Sequence, residues 1–287
     1  MAVIANTILT TDVAPAITRD LVENLSKGFV SLQEVMGISD MEAVAAGDTV
    51  RVYTTSVGTI GTQPTEGDEV ALTKVILAEG TPITMALVPY RKMTTAQAIQ
   101  KVGREKAINK TDEALLSVIR GEIKKDFYDI LETGSGTAEA GTNLQSQLAQ
   151  NWAAMQVFYK DYGSVRPVHF VNPLDVADYL GTAQITTQNA FGFTYVKDFL
   201  GLGTVVMDAE ITEKNVISTA SENLHWYYVP ANGEVGQEFG MTSDASGLVG
   251  MVHTPATDRF SIETLLMQGN KIVPEVLAGV IKGTFGA

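Results

Sequence analysis

The sequence predicts an α+β protein in which a long extended arm leads into one long helix. Three observations carry that expectation. Asp48 to Tyr90 reads as extended chain, Lys110 to Gly136 as an amphipathic helix, and the remainder of the chain as short strands mixed with shorter helices. The 287 residues can bury a sizeable core, and 45% hydrophobic with 18% charged residues is a globular composition.

In the arm, Val50, Val52 and Thr54 fall on one side of a strand and Arg51 and Tyr53 on the other, the period of two. Gly58, Gly61, Pro64 and Gly67 punctuate the stretch from Ser56 to Glu69. The chain then returns through Val75, Ile76, Leu77 and Ile83 to Leu87. An isolated two-stranded ribbon is marginal in water, so its own domain or a neighbouring subunit must cover it.

Thr94 with Gln97 forms a capping box before a short helix towards Ile108, and Asn109 to Thr111 separates that helix from the long one. In the long helix Leu116, Ile119, Ile123, Phe127 and Ile130 recur three or four apart, and Leu115, Val118 and Leu131 widen the face. Thr111 is the expected N-cap, with Asp112 and Glu113 favourable in the first turn. Gly134 is expected to end the helix in the left-handed conformation.

After the linker GSGTAEAG, Leu144, Leu148, Trp152, Met155 and Tyr159 share one helix face, ended by Gly163. A buried strand at Val168 to Val171 leads through Asn172 and Pro173, as cap and first turn, into a helix that ends near Leu180. Strands are expected at Thr204 to Met207 and Leu224 to Val229, with Trp152, Phe170, Val171 and Leu224 in the core. From Met251 the pattern is β again. Phe260, Ile262 and Thr264 alternate against Arg259, Ser261 and Glu263, Gly269 and Asn270 turn the chain, and Ile272 to Phe285 returns it.

Catalytic motifs fail in turn. GSGTAEAG lacks the Lys-Ser/Thr of a phosphate loop, and GLGTVV has Val206 where the dinucleotide fingerprint needs its third glycine. His169, His225 and His253 are scattered without metal spacing, Ser135 sits in a linker and not in a nucleophile elbow, and Asp175 with Asp178 reads as a solvated pair. Zero cysteines exclude disulfides and cysteine-ligated metals. No run of about twenty apolar residues appears, nor a signal peptide in MAVIANTILTTDVAPAITRDL. The net charge of -13 is the opposite of a dedicated nucleic-acid binder's. Arg91, Lys92, Lys101, Arg104, Lys106 and Lys110 against Glu105 form the one local basic stretch.

Taken in order, GDTVRVYTTSVG and PTEGDEVALTKV, YRKMTTAQAI, ETGSGTAEAG, VHFVNPLDVADYL and GTVVMDAEITEKNVISTASENLHWYYV resemble the major capsid proteins of tailed bacteriophages, the Hong Kong-97 type capsid fold, along essentially the whole chain. The resemblance implies an N-terminal arm over 1–45 and an extended loop over 46–93. It implies a peripheral domain over 94–135 and 250–287 with the long helix as spine, and an axial α/β domain over 136–249 inserted within it.

The implied role is structural and non-enzymatic, without catalytic, cofactor or metal residues. Many copies would close as pentamers and hexamers into an icosahedral virion shell, assembled in the host cytoplasm. The shell would enclose double-stranded DNA without sequence-specific binding. Implied partners are further copies of itself, a portal and a decoration protein; arm-like sequence begins within a few residues of Met1, which implies a separate scaffolding protein if the sequence is the whole product, the alternative being a Met1 added to a chain trimmed to its mature form.

Candidate inter-subunit contacts are Gly58, Gly61, Pro64, Glu66, Gly67, Arg91, Lys92 and Arg104. The basic stretch around the last three is either an ordinary solvated face or a patch toward genome or an acidic neighbour. For the isopeptide crosslink that part of the family makes, Lys74, Asn270 and Glu263 or Glu275 match by position only. The nearest rival that the resemblance admits is an encapsulin shell around cargo enzymes. A soluble α/β enzyme using Asp175 and Asp208 would leave the arm unexplained.

Overall fold

The computed structural model describes residue 33 and residues 41–286, apart from 52, 59–65, 67–68, 70–71, 80–81, 162, 183–186, 191–192 and 244–246. The expected N-terminal arm up to residue 40, and Gly61, Pro64 and Gly67, lie outside the described residues apart from Gln33.

The extended stretch is a hairpin of two antiparallel pairings. Thr49–Val50 pairs with Ile83–Thr84, and Tyr53–Val57 pairs with Val75–Glu79, placing Tyr53 opposite Glu79 and Val57 opposite Val75. The Arg51 guanidinium donates to Glu79 at 2.8 Å. Among the described residues neither pairing gains a third strand.

The chain then runs straight into Val88–Thr95, an edge strand of an antiparallel four-stranded sheet whose order continues through Ser261–Gln268, Val249–Ala256 and Thr242–Ser243. A three-stranded sheet sets Met41–Ala43 parallel to Leu224–Tyr228, which lies antiparallel to Asn270–Pro274. A mixed seven-stranded sheet has the order Gly136–Thr137, Ile281–Thr284, Asn215–Ala220, Pro167–Val171, Thr204–Met207, Phe193–Val196, Gln188–Ala190.

The spine helix, Lys110–Glu132, joins these sheets. It buries Leu116, Ile119, Ile123, Phe127, Tyr128 and Leu131 in one cluster with Met251 and Leu266, Trp226 and Ile272, and Phe170 and Val206, contributed by the three sheets in turn. Phe170 lies edge-on to Phe127 with ring centres 5.4 Å apart, an arrangement the aromatic quadrupole favours. On the other face of the seven-stranded sheet, Val171, Val205, Met207 and Val216 pack against Leu144 and Leu148 of helix Leu144–Phe158 and Val176 of helix Pro173–Thr182. The strand Pro167–Val171 is an unbroken apolar run apart from His169 because both of its faces are covered.

Several sequence expectations give way to tertiary contacts. The short helix Ala96–Val102 is capped by Thr95, whose hydroxyl accepts from Ala98 N at 3.3 Å, and not by Thr94. The break that follows it falls at Gly103, whose φ is +83°, and not at Asn109. The chain passes through a π-helical segment, Glu105–Asn109, directly into the spine, and the Thr111 hydroxyl points back to the Ala107 and Ile108 carbonyls where an N-cap was expected. Gly134 is not left-handed; a Cβ there would stand 2.6 Å from Val280, so close approach is what demands glycine. Tyr128 takes the core place expected of Ile130, and Val118 is exposed.

Trp152 is 37% exposed, whereas Phe170, Val171 and Leu224 are buried as expected. The helix face it was assigned to turns slightly, so that Gln147 and Asn151 go inside. Phe260 stands 70% exposed in the turn before Ser261–Gln268. Ile272 to Phe285 is not one return strand. Asn270–Pro274 packs under the spine, a 3₁₀ turn at Leu277–Gly279 comes next, and Ile281–Thr284 enters the seven-stranded sheet. Asn215–Ala220, near the centre of that sheet, has no alternation to announce it because all of Val216–Ala220 is buried.

Candidate functional site: assembly surfaces

The ribbon presents apolar side chains to solvent. Leu72, Val75, Ile76 and Leu77 are all exposed, Leu72 to 93%. Among the described residues no further strand covers them, and apolar side chains clustered on such an arm mark an interaction surface. Gly58 ends the outgoing strand, where its N–H donates to the Lys74 carbonyl at 2.8 Å, and both residues are exposed, as is Glu66.

At the arm's root the basic residues divide. Arg91 faces outward and forks onto Glu263, with Nε donating at 3.1 Å. Lys92 faces the other way, into the protein. Its ammonium lies 2.6 Å from Asp112 and also donates to the Ile108 carbonyl at 3.0 Å. His253 Nε2 meets the second Asp112 oxygen at 2.7 Å. Asp112 is fully buried; burial alone would raise its pKa, but His253 and Lys92 outweigh that and hold it below the usual carboxylate range. Lys92 is therefore occupied within the subunit. Arg104 is half-buried at the junction of the short helix and the π-helical segment, and Lys110 pairs with Glu113 at 3.1 Å. Tyr90, between the arm and the spine, donates to Glu122 at 2.6 Å, and burial with that carboxylate pushes its hydroxyl up to about 12.

Within one subunit the crosslink candidates sit on different elements, Lys74 exposed beside the ribbon strand Val75–Glu79 and Asn270 at the start of Asn270–Pro274. Asn270 is 7% exposed, its amide donating to the Leu248 carbonyl at 3.0 Å and its oxygen facing Trp226 Nε1 at 3.4 Å. Glu263 holds Arg91, and Glu275 faces His225 at 3.1 Å. The two acids of the enzyme reading serve the fold as well. Asp208 pairs with Lys124 of the spine, and Asp175 accepts from Lys214 N at 2.8 Å. Among the described residues no three His, Asp or Glu side chains gather as a metal site, and no helix is long and apolar enough to cross a membrane.

His169 belongs to a buried polar relay that sequence reasoning missed. Its Nε2 faces the Leu202 carbonyl at 3.2 Å, so it must donate there, leaving Nδ1 to accept from Ser218 Oγ at 2.7 Å. Asn151 donates to Ser218 Oγ at 2.9 Å and accepts from Gln147 at 2.7 Å, and Gln147 accepts from Gly141 N at 2.6 Å. Burial pushes the imidazole down to about 4. The amides at Gln147 and Asn151, four apart on one helix face, were the available signal.

No protein-family model matches the chain, and no curated protein matches it in sequence. Solved structures do. The virus-like particle from Pyrococcus furiosus superposes with a TM-score of 0.51 at 11% identity, over 92% of this chain and 97% of that one. The holo-SrpI encapsulin complex of Synechococcus elongatus gives 0.54 at 9% identity over 88% and 86% of the two chains. The capsid of cyanophage P-SCSP1u gives 0.53 at 7% identity over 86% of each. This is the Hong Kong-97 type capsid fold. The capsid fold is matched along nearly the whole chain, and its structural neighbours are shell proteins that act by assembling.

Proposed function

We propose that this chain is the major capsid protein of a tailed double-stranded DNA bacteriophage, closing as pentamers and hexamers into an icosahedral head. The observation that carries the reading is the ribbon. On a capsid fold, it holds Leu72, Val75, Ile76 and Leu77 away from the chain's own core, where a second copy can cover them. In this reading residues 46–93 are the extended loop, 94–135 with 250–287 the peripheral domain and 136–249 the axial domain, with residues 1–45 as an arm onto neighbours. Repeated heterologous contacts then close by symmetry, and the DNA is enclosed without being read. A separate scaffolding protein, a portal and a decoration protein are the partners this role calls for, in a virion assembled in the host cytoplasm.

The likeness to an encapsulin complex favours one other reading, a shell around protein cargo. Light scattering with negative-stain electron microscopy, on the protein alone and then with its neighbouring scaffold gene, tests assembly. Closed particles, or rings of five or six subunits, support a shell; a monomer under both conditions rejects it. Particles from infected or induced cells then separate the readings, because a head protects DNA from nuclease and a nanocompartment retains enzyme.

A further inference from the structure

The seven-stranded sheet ends in an open edge that has a cleft on each side. Its outermost strand, Gly136–Thr137, pairs only with Ile281–Thr284 among the described residues. The Gly136 and Ala138 N–H groups point inward, to the Val280 carbonyl at 3.0 Å and the Lys282 carbonyl at 2.9 Å. Alternate residues of a strand turn their backbone groups to opposite sides, so the Thr137 N–H and C=O and the Glu139 N–H face away from the sheet. The Glu139 carbonyl accepts from Gln147 at 3.2 Å, and both Thr137 and Glu139 are exposed. Beside the end of the spine helix lies a cleft of about 580 Å³ that carries Glu132, Thr212, Asn215, Lys282 and Thr284. Beside helix Leu144–Phe158 lies one of about 680 Å³, walled by Ala140, Ala153, Val157, Phe158 and Ala278. Thr137 and Ala138 border both. A strand added at this edge would send its side chains alternately into a polar cleft and an apolar one.

We propose that the edge receives residues 5–13 of a neighbouring copy as an eighth strand. Those residues lie outside the described ones, and their sequence fits the slot. The even positions Asn6, Thr10 and Asp12 are polar, with Ile8 the exception, whereas Ala5, Thr7, Leu9, Thr11 and Val13 all present methyl groups. Thr7, Ile8, Thr10, Thr11 and Val13 are β-branched and favour a strand. The one charge, Asp12, falls on the side that meets Lys282. The stretch between Val13 and Met41 can span up to ~90 Å, enough to reach another copy. The slot itself is a property of the subunit; only donation between copies rests on the shell reading.

A synthetic peptide of residues 3–14, added to the full-length protein carrying Ile8→Pro and Thr10→Pro, tests the slot. The prolines remove pairing donors from the tethered segment and leave the edge free. Peptide-resolved hydrogen exchange over 135–142 is expected to slow about tenfold when the peptide saturates. Adding Thr137→Pro removes an outward N–H, and adding Ala153→Arg fills the apolar cleft; either is expected to abolish the slowing at an unchanged melting temperature. No slowing in the parent variant, or slowing that survives both substitutions, overturns the slot. The chain has no cysteine, so Leu9→Cys and Ala153→Cys proteins, mixed and oxidised, are expected to form a mixed disulfide. A linkage confined to single chains that carry both cysteines overturns donation between copies. The peptide reports without assembly, so a protein that never assembles refutes the shell reading and leaves the slot to be decided by the exchange.

Discussion

At His169 the surroundings fix one protonation state, because Leu202 O accepts from one nitrogen while Ser218, itself receiving from Asn151, donates to the other. A protonated ring would present a second N–H to an oxygen whose own hydrogen then has nowhere to go. The folded pKa of about 4 lies below the roughly 6.5 of an unfolded histidine. The unfolded chain therefore binds the extra proton between those values, and stability is full above about pH 6.5 and falls with acid until about pH 4, by ~3 kcal/mol in all. Urea midpoints measured against pH should show this slope, and His169→Asn should flatten it while lowering stability at about pH 7.5. An equal slope in the variant would refute the assignment. Asp112 acts in a separate, lower window. Its pKa is depressed, so its contribution is whole above the unfolded value near about 3.9 and is lost only as pH falls through the folded one. Gly283 lines the same relay, where an added Cβ would stand 1.8 Å from Gln147 Nε2 and 2.5 Å from Asn151 Oδ1. Gly283→Ala should cost about 1–3 kcal/mol, as overpacking of a filled core does, read as a fall in melting temperature.

The spine is the element that bears substitution most unevenly. Gly121 sits mid-helix, exposed, with nothing within 4 Å of an added Cβ, so Gly121→Ala should stabilise the subunit by about 0.5–1 kcal/mol through helix propensity. The ribbon behaves in the opposite sense. Val75→Ser with Leu77→Ser removes apolar surface that water already touches, so melting of the free subunit should move within about ±0.5 kcal/mol while particle yield falls. Normal particle yield from that variant would refute the assembly role of the ribbon. These two elements were the ones most legible in the sequence, since each carries its own period along the chain. Trp152 and the Thr111 cap were misread because a helix face is chosen by what packs on it, here the amides of the relay and the donors from the arm strand. Which of the candidate residues stand in solvent was legible in part. Gly58 and Arg91 are exposed, but the partners that occupy Lys92 and Asn270 come from distant segments, and no local pattern encodes them.

For the molecule as a whole, the decisive feature is how the last strand closes the middle sheet. Ile281–Thr284 lies between Gly136–Thr137 and Asn215–Ala220, pairing parallel with the first and antiparallel with the second. Gly136 has room only for hydrogen beside Ile281 and the Ala278 and Val280 carbonyls, so the start of the middle segment is fitted to the end of the chain. Residues 136–249 alone therefore expose the edge of Asn215–Ala220, a strand buried from Val216 onward, and leave Gly136–Thr137 unpaired. Such an edge is a template for aggregation. The fragment 136–249 should accordingly be insoluble or lack a cooperative melt. The same fragment with residues 277–286 joined through a flexible linker should be soluble and melt in one transition. A stable, monomeric 136–249 would show that the middle sheet tolerates an open edge, and that the closing strand serves only to tether the chain's end.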